Sequence, residues 1–121
     1  MAGANVWGPA AWTWLHVVTF NYSLKPSSEE RVRAHDFLTS FAHNVPCSEC
    51  RDGFLMLVNQ RLNGKGSQSD LFDSRWSFSI AACEWHNKVN EKLGKSIVPF
   101  GTLVGRYLAR KPAGQESSCC D

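Results

Sequence analysis

The chain has 121 residues, which suits a single domain with one modest hydrophobic core. Hydrophobic residues make up 43% and charged residues 20%, and no apolar run approaches the roughly 18 residues that a membrane-spanning helix needs, so we expect no membrane segment. The 13 basic and 11 acidic residues are interspersed and leave a net charge of only +2, a pattern that argues against a nucleic-acid partner.

Two helices are predicted in the first third of the chain. Pro9 suits the first turn of helix one, whose apolar residues recur at helical spacing as far as Tyr22. Ser27 and Glu30 have the spacing of a capping box and begin helix two, which runs to about His43.

Three further helices follow Pro46. Helix three begins at Cys47, helix four spans residues 71–93 with Gly94 as a left-handed C-cap, and a short helix five follows Pro99 as far as Leu108. The sequence therefore predicts an all-α fold, a four-helix bundle plus a short fifth helix, with the CxxC at the start of helix three. Residues 1–110 would form the domain, and residues 111–121 a flexible cysteine-containing tail.

Cys47 and Cys50 form a CxxC pair directly after a proline. The chain has five cysteines, and an odd number leaves at least one outside any set of intrachain disulfides. The N-terminus also lacks the pattern of a secretion signal, so a fully stapled secreted scaffold is disfavoured. Metal binding and thiol chemistry both remain open for this pair.

A helical wheel of helix four places seven residues on one arc. They are Phe72, Trp76, Ser79, Cys83, His86, Asn87 and Asn90. An unpartnered buried polar group costs about 1–3 kcal/mol, so the polar half of this arc either is hydrated at the edge of the bundle or covers a polar ligand. Trp12 and His16 share a face of helix one, and two histidines beside large aromatic rings favour a flat heterocycle such as a flavin or an adenine.

Other residues of helix four leave alternatives open. Lys92 and Lys95 lie at its C-terminal end, where they would either contact a diphosphate or complement the helix dipole. Phe78 and Trp85 lie on the opposite side from the arc, as packing residues or as part of a dimer face.

Three motifs in this order resemble the FAD-linked sulfhydryl oxidases of the Erv/ALR type. They are WGPAAWTWLH at residues 7–16, CSEC at 47–50 and CEWHNKVNEKLGK at 83–95. The resemblance implies a helical bundle, usually a homodimer, that holds FAD at its mouth with the CxxC against the isoalloxazine ring. The implied enzyme makes disulfides in protein thiol substrates: electrons pass through the Cys47–Cys50 disulfide to FAD and then to O₂, which yields hydrogen peroxide.

The resemblance also assigns roles to single residues. Cys47 exchanges disulfides with the substrate, and Cys50 faces the flavin. The FAD contacts implied are Gly8, Trp12, His16, Tyr22, Cys50, Cys83, His86, Asn87, Asn90, Lys92, Lys95 and Tyr107, and no metal ligand is implied. Cellular members usually link the cysteine matching Cys83 to a second one, but Phe100 stands near that place, so Cys83 is expected to be free and buried.

Cys119 and Cys120 match the mobile cysteine pair that family members use to shuttle electrons to the CxxC. Because they are adjacent, they would form a strained and oxidising relay, reach separate partners, or be two incidental thiols. The alternative function is a non-catalytic zinc-binding module that uses Cys47, Cys50, Cys119 and Cys120. A thioredoxin-like reductase ranks last, because the chain lacks a strand-helix-strand pattern around its CxxC.

The compartment depends on the source of the chain, since no targeting signal is visible. The short length and the missing partner of Cys83 resemble the versions encoded by large DNA viruses. A viral chain would act in the host cytoplasm, the virus factory or the virion, and a cellular one in the mitochondrial intermembrane space.

Overall fold

A computed structural model of the chain describes residues 3–64 and 68–108. It has six helical segments: α1 (Ala4–Phe20), α2 (Ser28–His43), α3 (Ser48–Asn63), α4 (Gln68–Leu71), α5 (Arg75–Lys92) and α6 (Phe100–Tyr107). Four of them are long, and the CxxC lies at the start of the third, so the predicted all-α bundle with a short additional helix is confirmed. The domain boundary at residue 110 and the tail of residues 111–121 lie outside the described residues.

Neither described stretch contains a β-strand. Within the same stretches, no helix combines the length and the hydropathy that a bilayer crossing requires.

Two helix ends form as predicted. The Ser27 hydroxyl accepts the Glu30 amide at 3.1 Å, while the Glu30 carboxylate accepts the Ser27 amide at 3.0 Å, which completes the capping box of α2. At the end of α5, Gly94 adopts a φ of 72°, and the Lys95 amide donates to the Asn90 carbonyl at 2.8 Å. This is the Schellman arrangement, which needs a left-handed residue and so favours glycine.

The predicted start of the fourth long helix at Leu71 is wrong, because α5 begins at Arg75. The Ser74 hydroxyl accepts the Ser77 amide at 3.2 Å, and the Ser77 hydroxyl accepts the Ser74 amide at 3.1 Å. This reciprocal cap starts a new helix after the single turn of α4. Phe72 therefore leaves the predicted arc and lies in the core between the two helices.

α5 is buried on two sides. Phe78 and Trp85 lie in the main core and are 0% and 5% exposed. Of the two alternatives, packing or a dimer face, they are therefore packing residues. The opposite side carries Cys83, which packs with Phe20 and Leu103 in a smaller core beneath α6. Cys83 is buried and its thiol is free, as expected. The main core contains Leu15, Ala34, Leu38, Ala42, Phe54, Val58, Leu62, Leu71, Phe72, Phe78, Ala81, Ala82 and Trp85.

We predict that Gly94→Ala lowers the free energy of unfolding by about 1–2 kcal/mol, because an L-residue is strained at positive φ. Gly105→Ala is the matched control. Gly105 lies inside α6 without a positive φ, and an added Cβ would meet no atom within 4 Å, so alanine there should stabilise the protein by roughly 0.5–1 kcal/mol. Urea denaturation of both variants measures these effects, and equal stability of Gly94→Ala and the parent would contradict the left-handed cap.

Candidate functional site

The dithiol lies at the N-terminus of α3. Cys47 is the N-cap residue, and its Sγ accepts the Cys50 amide at 3.4 Å. The Arg51 guanidinium donates to the Val45 carbonyl at 3.1 Å, and the Arg51 amide donates to the Cys47 carbonyl at 2.8 Å. These bonds fix the short connection between α2 and α3, so that both cysteines lie on the first turn of one helix.

The two thiols have different acidities. The backbone amide of Cys50, followed by the Cys50 side chain, donates toward Cys47 and lowers the pKa of the Cys47 thiol. The hydrogen bond to Cys47, followed by burial, raises the pKa of Cys50. A thiolate at a helix N-terminus is also favoured by the helix dipole. In the reduced protein the thiolate therefore forms first on Cys47, and Cys50 keeps its proton.

Four rings meet between α1, α5 and α6, and we call them the aromatic–histidine cluster: Trp12, His16, His86 and Tyr107. Trp12 stacks on His86 with centroids 4.2 Å apart and planes at 7°. His16 stacks on Tyr107 with centroids 5.5 Å apart and planes at 17°. The structure thus brings together four predicted FAD contacts from three separate helices.

The two histidines of the cluster are neutral at pH 7. Burial lowers the pKa of each to about 4, with smaller contributions from His86 and Arg106 at His16 and from Lys95 at His86. His16 Nε2 and His86 Nδ1 are 2.8 Å apart, so one ring nitrogen donates and the other accepts. The other ring nitrogen of His16, Nδ1, is buried and has no hydrogen-bond partner among the described residues. An unmet group of this kind costs about 1–3 kcal/mol, which a polar ligand atom would recover.

Phe54 connects the dithiol to the cluster. It follows Cys50 by one helical turn and meets Trp12 edge to face at 5.6 Å. It also makes edge contacts with Phe41 at 5.8 Å and Trp85 at 5.9 Å. Phe54 is not among the residues that the family resemblance assigns to the site. The available signal was its spacing of four residues from Cys50, which puts both on one helix face.

Two cationic side chains lie near the cluster. Lys95 and Arg106 lie close enough to His86 and His16 to contribute to their lowered pKa values, and the Arg106 guanidinium carbon is 5.8 Å from the Tyr107 ring centre. Lys92 lies elsewhere: its Nζ is 3.9 Å from the position that a Cβ of Gly53 would take, beside the helix of the dithiol. The two lysines that the sequence predicts to act together are therefore separated: Lys95 lies near the cluster, and Lys92 lies beside α3.

The predicted polar arc of α5 is largely occupied by the chain itself. Asn87 exchanges two hydrogen bonds of 2.8 Å with the backbone of Val98. Asn90 is buried and donates to Asn87 at 3.4 Å. The Cys83 thiol lies 3.8 Å from the Val98 carbonyl. The loop between α5 and α6 thus covers this part of the arc.

Two predicted contacts lie apart from the cluster. The Tyr22 hydroxyl donates to the Phe72 carbonyl at 2.8 Å, and its ring meets Phe78 edge to face, so Tyr22 joins the loop after α1 to the segment before α5. At Gly8, an added Cβ would meet no atom of the described residues within 4 Å. The protein fold alone does not require glycine there, which leaves close approach of a ligand as the prediction for this residue.

The zinc alternative gains no support. In the part of the chain that the structure describes, no group of three or more His, Cys, Asp or Glu side chains could hold a metal ion. Two of the proposed ligands, Cys119 and Cys120, lie outside the described residues.

The chain is similar in sequence to known proteins. The profile of the Erv1 / Alr family matches residues 9–107. The chain is 33% identical over 100 residues to the FAD-linked sulfhydryl oxidase ERV1 of Arabidopsis thaliana, an alignment that covers 83% of this chain and 49% of that protein. It is 30% identical over 102 residues to the FAD-linked sulfhydryl oxidase of African swine fever virus (isolate Pig/Kenya/KEN-50/1950), covering 84% and 79%. The chain thus spans about half the length of the plant relative and more of the viral one.

Solved structures share the fold. The FAD binding domain of Erv1 from Saccharomyces cerevisiae superposes with a TM-score of 0.75 at 27% identity, covering 89% of this chain and 96% of that one. The yeast Erv1 core gives a TM-score of 0.74 at 27% identity, with coverages of 88% and 85%.

We predict that the two cluster histidines make stability fall as the pH is lowered. Their folded pKa values of about 4 lie below the unfolded value of 6.5, so the unfolded chain binds more protons between these limits. Their contribution is fully present above pH 6.5 and is lost as the pH falls toward 4. Thermal melts across this range should show a weaker pH dependence for His86→Gln than for the parent. The exposed His43→Gln is the control and should keep the parent's slope, and equal slopes for all three proteins would contradict the prediction.

Proposed function

The chain belongs to the Erv1 / Alr family, and from this premise we propose that it is an FAD-linked sulfhydryl oxidase that forms disulfide bonds in protein thiol substrates. The observation that carries the proposal is the position of the dithiol. Cys50 lies one helical turn before Phe54, and Phe54 contacts Trp12 of the aromatic–histidine cluster. A thiol pair and a ring-lined polar site therefore share one core, as an enzyme that moves electrons from thiols to a flavin requires.

The residues of the cluster fit FAD. Trp12, His16, His86 and Tyr107 would hold an aromatic ring system, and His16 Nδ1 has an unmet capacity for a hydrogen bond to a ring or ribose atom. Lys95 and Arg106, which lie next to the two histidines, would neutralise a diphosphate. When bound, FAD supplies a two-electron acceptor that O₂ reoxidises with release of hydrogen peroxide.

The exchange at the dithiol follows the roles that the family resemblance implies, with Cys47 on the substrate side; in the structure Cys47 is half-buried and Cys50 is exposed. A substrate thiolate attacks Cys47 Sγ of the Cys47–Cys50 disulfide, a new disulfide joins substrate and Cys47, and Cys50 leaves with the electron pair. A second substrate thiolate then attacks the substrate sulfur of this mixed disulfide. The substrate leaves as a disulfide, and the protein gains two electrons as its dithiol.

The acidity of Cys50 suits this sequence of steps. Its pKa is raised first by the hydrogen bond to Cys47. That bond is lost while Cys47 is bonded to a substrate, so the pKa of Cys50 falls back toward its ordinary value and its ionisation becomes easier. The proposed flavin-side sulfur thus ionises more readily when the substrate is attached to Cys47.

The partners and the compartment are also part of the proposal. We expect a homodimer, and a relay of electrons from the substrate to Cys47 is one of the three alternatives for Cys119 and Cys120, which lie outside the described residues. The relatives include mitochondrial and viral proteins, which supports the mitochondrial intermembrane space for a cellular chain and the host cytoplasm, virus factory or virion for a viral one.

We predict that the purified protein takes up FAD and produces hydrogen peroxide from a small dithiol. Cys47→Ser and Cys50→Ser should each lower this rate by about a hundredfold or more, because neither variant can form the disulfide that accepts electrons. Ser48→Ala, an exposed change between the two cysteines, should keep the parent's rate. Oxygen consumption and flavin absorbance measure both properties. A colourless protein that cannot be loaded with FAD, or a fully active Cys50→Ser variant, would refute the proposed function.

We predict opposite effects of Gly8→Ala on stability and on FAD affinity. The change should stabilise the FAD-free protein by about 0.5–1 kcal/mol, because Gly8 lies within α1 and a Cβ there meets no atom. The same Cβ should weaken FAD binding if the chain passes close to the cofactor. Thermal melts and flavin fluorescence titration separate the two effects, and an unchanged FAD affinity would remove Gly8 from the predicted contacts.

A further inference from the structure

We propose that Asn87 is a positioning residue of the aromatic–histidine cluster: its side-chain amide holds the loop that leads into α6, and α6 carries Tyr107 onto His16. Asn87 would therefore act on the cofactor site through the loop and α6 without touching the cofactor. The part of this inference that concerns FAD rests on the proposed function, whereas the part that concerns the loop does not.

The amide of Asn87 is fully used within the chain. Its Nδ2 donates to the Val98 carbonyl at 2.8 Å and to Cys83 Sγ at 3.6 Å. Its Oδ1 accepts the Val98 amide at 2.8 Å and Asn90 Nδ2 at 3.4 Å. A side-chain amide has two donor hydrogens and two acceptor positions, so none remains for a ligand.

Val98 is the point at which the loop is attached. The Schellman end of α5 closes at Lys95, and the next two residues, Ser96 and Ile97, are exposed. Val98 then returns to α5 and is half-buried, with both of its backbone polar groups bonded to Asn87. The Asn87 side chain thus makes the two backbone hydrogen bonds that Val98 would make with a neighbouring strand in a sheet.

The attachment continues directly into α6. Pro99 follows Val98 and is the N-cap residue of α6. Leu103 anchors α6 in the smaller core at 1% exposure, and Tyr107 stacks on His16 at 5.5 Å. The position of Tyr107 over His16 therefore depends on where the loop enters the helix.

The reactivity of the Cys83 thiol can report whether Val98 is attached to Asn87. Cys83 as a residue is 6% exposed, and its thiol lies 3.8 Å from the Val98 carbonyl, so the anchored loop shields it. Release of Val98 would uncover the thiol, and alkylation of Cys83 then measures how often the loop opens. Mass spectrometry of the cysteine-containing peptides separates Cys83 from the other four cysteines.

The experiment compares Asn87→Ala with the parent in the full chain, with and without FAD. Loss of two neutral hydrogen bonds should speed Cys83 alkylation by about tenfold and weaken FAD binding by a similar factor. Asn87→Asp keeps an acceptor for the Val98 amide but loses the donors and places a carboxylate oxygen against the Val98 carbonyl, so its effects should be at least as large. It also serves as the test if Asn87→Ala does not fold. The matched control is Lys88→Ala, an exposed neighbour on α5, which should behave as the parent.

Each outcome decides the inference. Unchanged Cys83 alkylation in Asn87→Ala overturns it, and weaker FAD binding without faster alkylation would instead mark Asn87 as a direct contact. Faster alkylation with unchanged FAD affinity overturns the positioning role.

A parent chain that does not bind FAD refutes the proposed function, and the titration of His16 then decides the positioning role. In the parent, burial holds the pKa of His16 at about 4. If α6 shifts in Asn87→Ala, NMR should show this pKa rising toward 6.5, and an unchanged pKa overturns the role.

Discussion

The face-to-face contact of Trp12 with His86 is the interaction on which the rest of the site depends. It joins α1 to α5, and a stacked aromatic pair of this kind adds about 0.5–1.5 kcal/mol beyond the area that it buries. The same alignment of the two helices brings the His16 and His86 nitrogens within hydrogen-bond distance and leaves His16 in position to be covered by Tyr107. A shift of α1 along α5 would break all of these contacts together.

The site is also part of the hydrophobic core. Phe54 contacts Trp12 of the cluster and Trp85 of the main core, so its ring belongs to both. α5 carries Phe78 into the main core on one side and Cys83 into the smaller core on the other. Because these residues pack in shared contacts, substitutions in the site should change stability and function together.

Short sequence patterns predict most of the helices and their ends. The features that these patterns do not predict depend on contacts between residues far apart in the chain. The cap at Ser27 and the left-handed turn at Gly94 depend on neighbouring residues alone, and both form as predicted. The new helix start at Ser74 is hidden by an apolar pattern that continues across it.

A helical wheel assumes one buried face, so it could not show that α5 is buried on two sides. It also could not pair Asn87 with Val98, because that contact depends on the path of a loop. The family motifs predict the residues of the cluster, but the unmet nitrogen and the link from the dithiol to the rings become visible only in three dimensions.

The sulfur of Cys47 links the folding of α3 to its redox state. It caps the helix by accepting an amide hydrogen bond, and a thiolate accepts such a bond more strongly than a disulfide sulfur does. The first turn of α3 is therefore held more firmly in the reduced protein. Stabilisation of the reduced form raises the reduction potential of a dithiol couple, by about 30 mV for every 1.4 kcal/mol. The start of this helix thus raises the potential of the Cys47–Cys50 couple, and under the proposed function each electron pair accepted from a substrate would strengthen the hydrogen bond that caps α3.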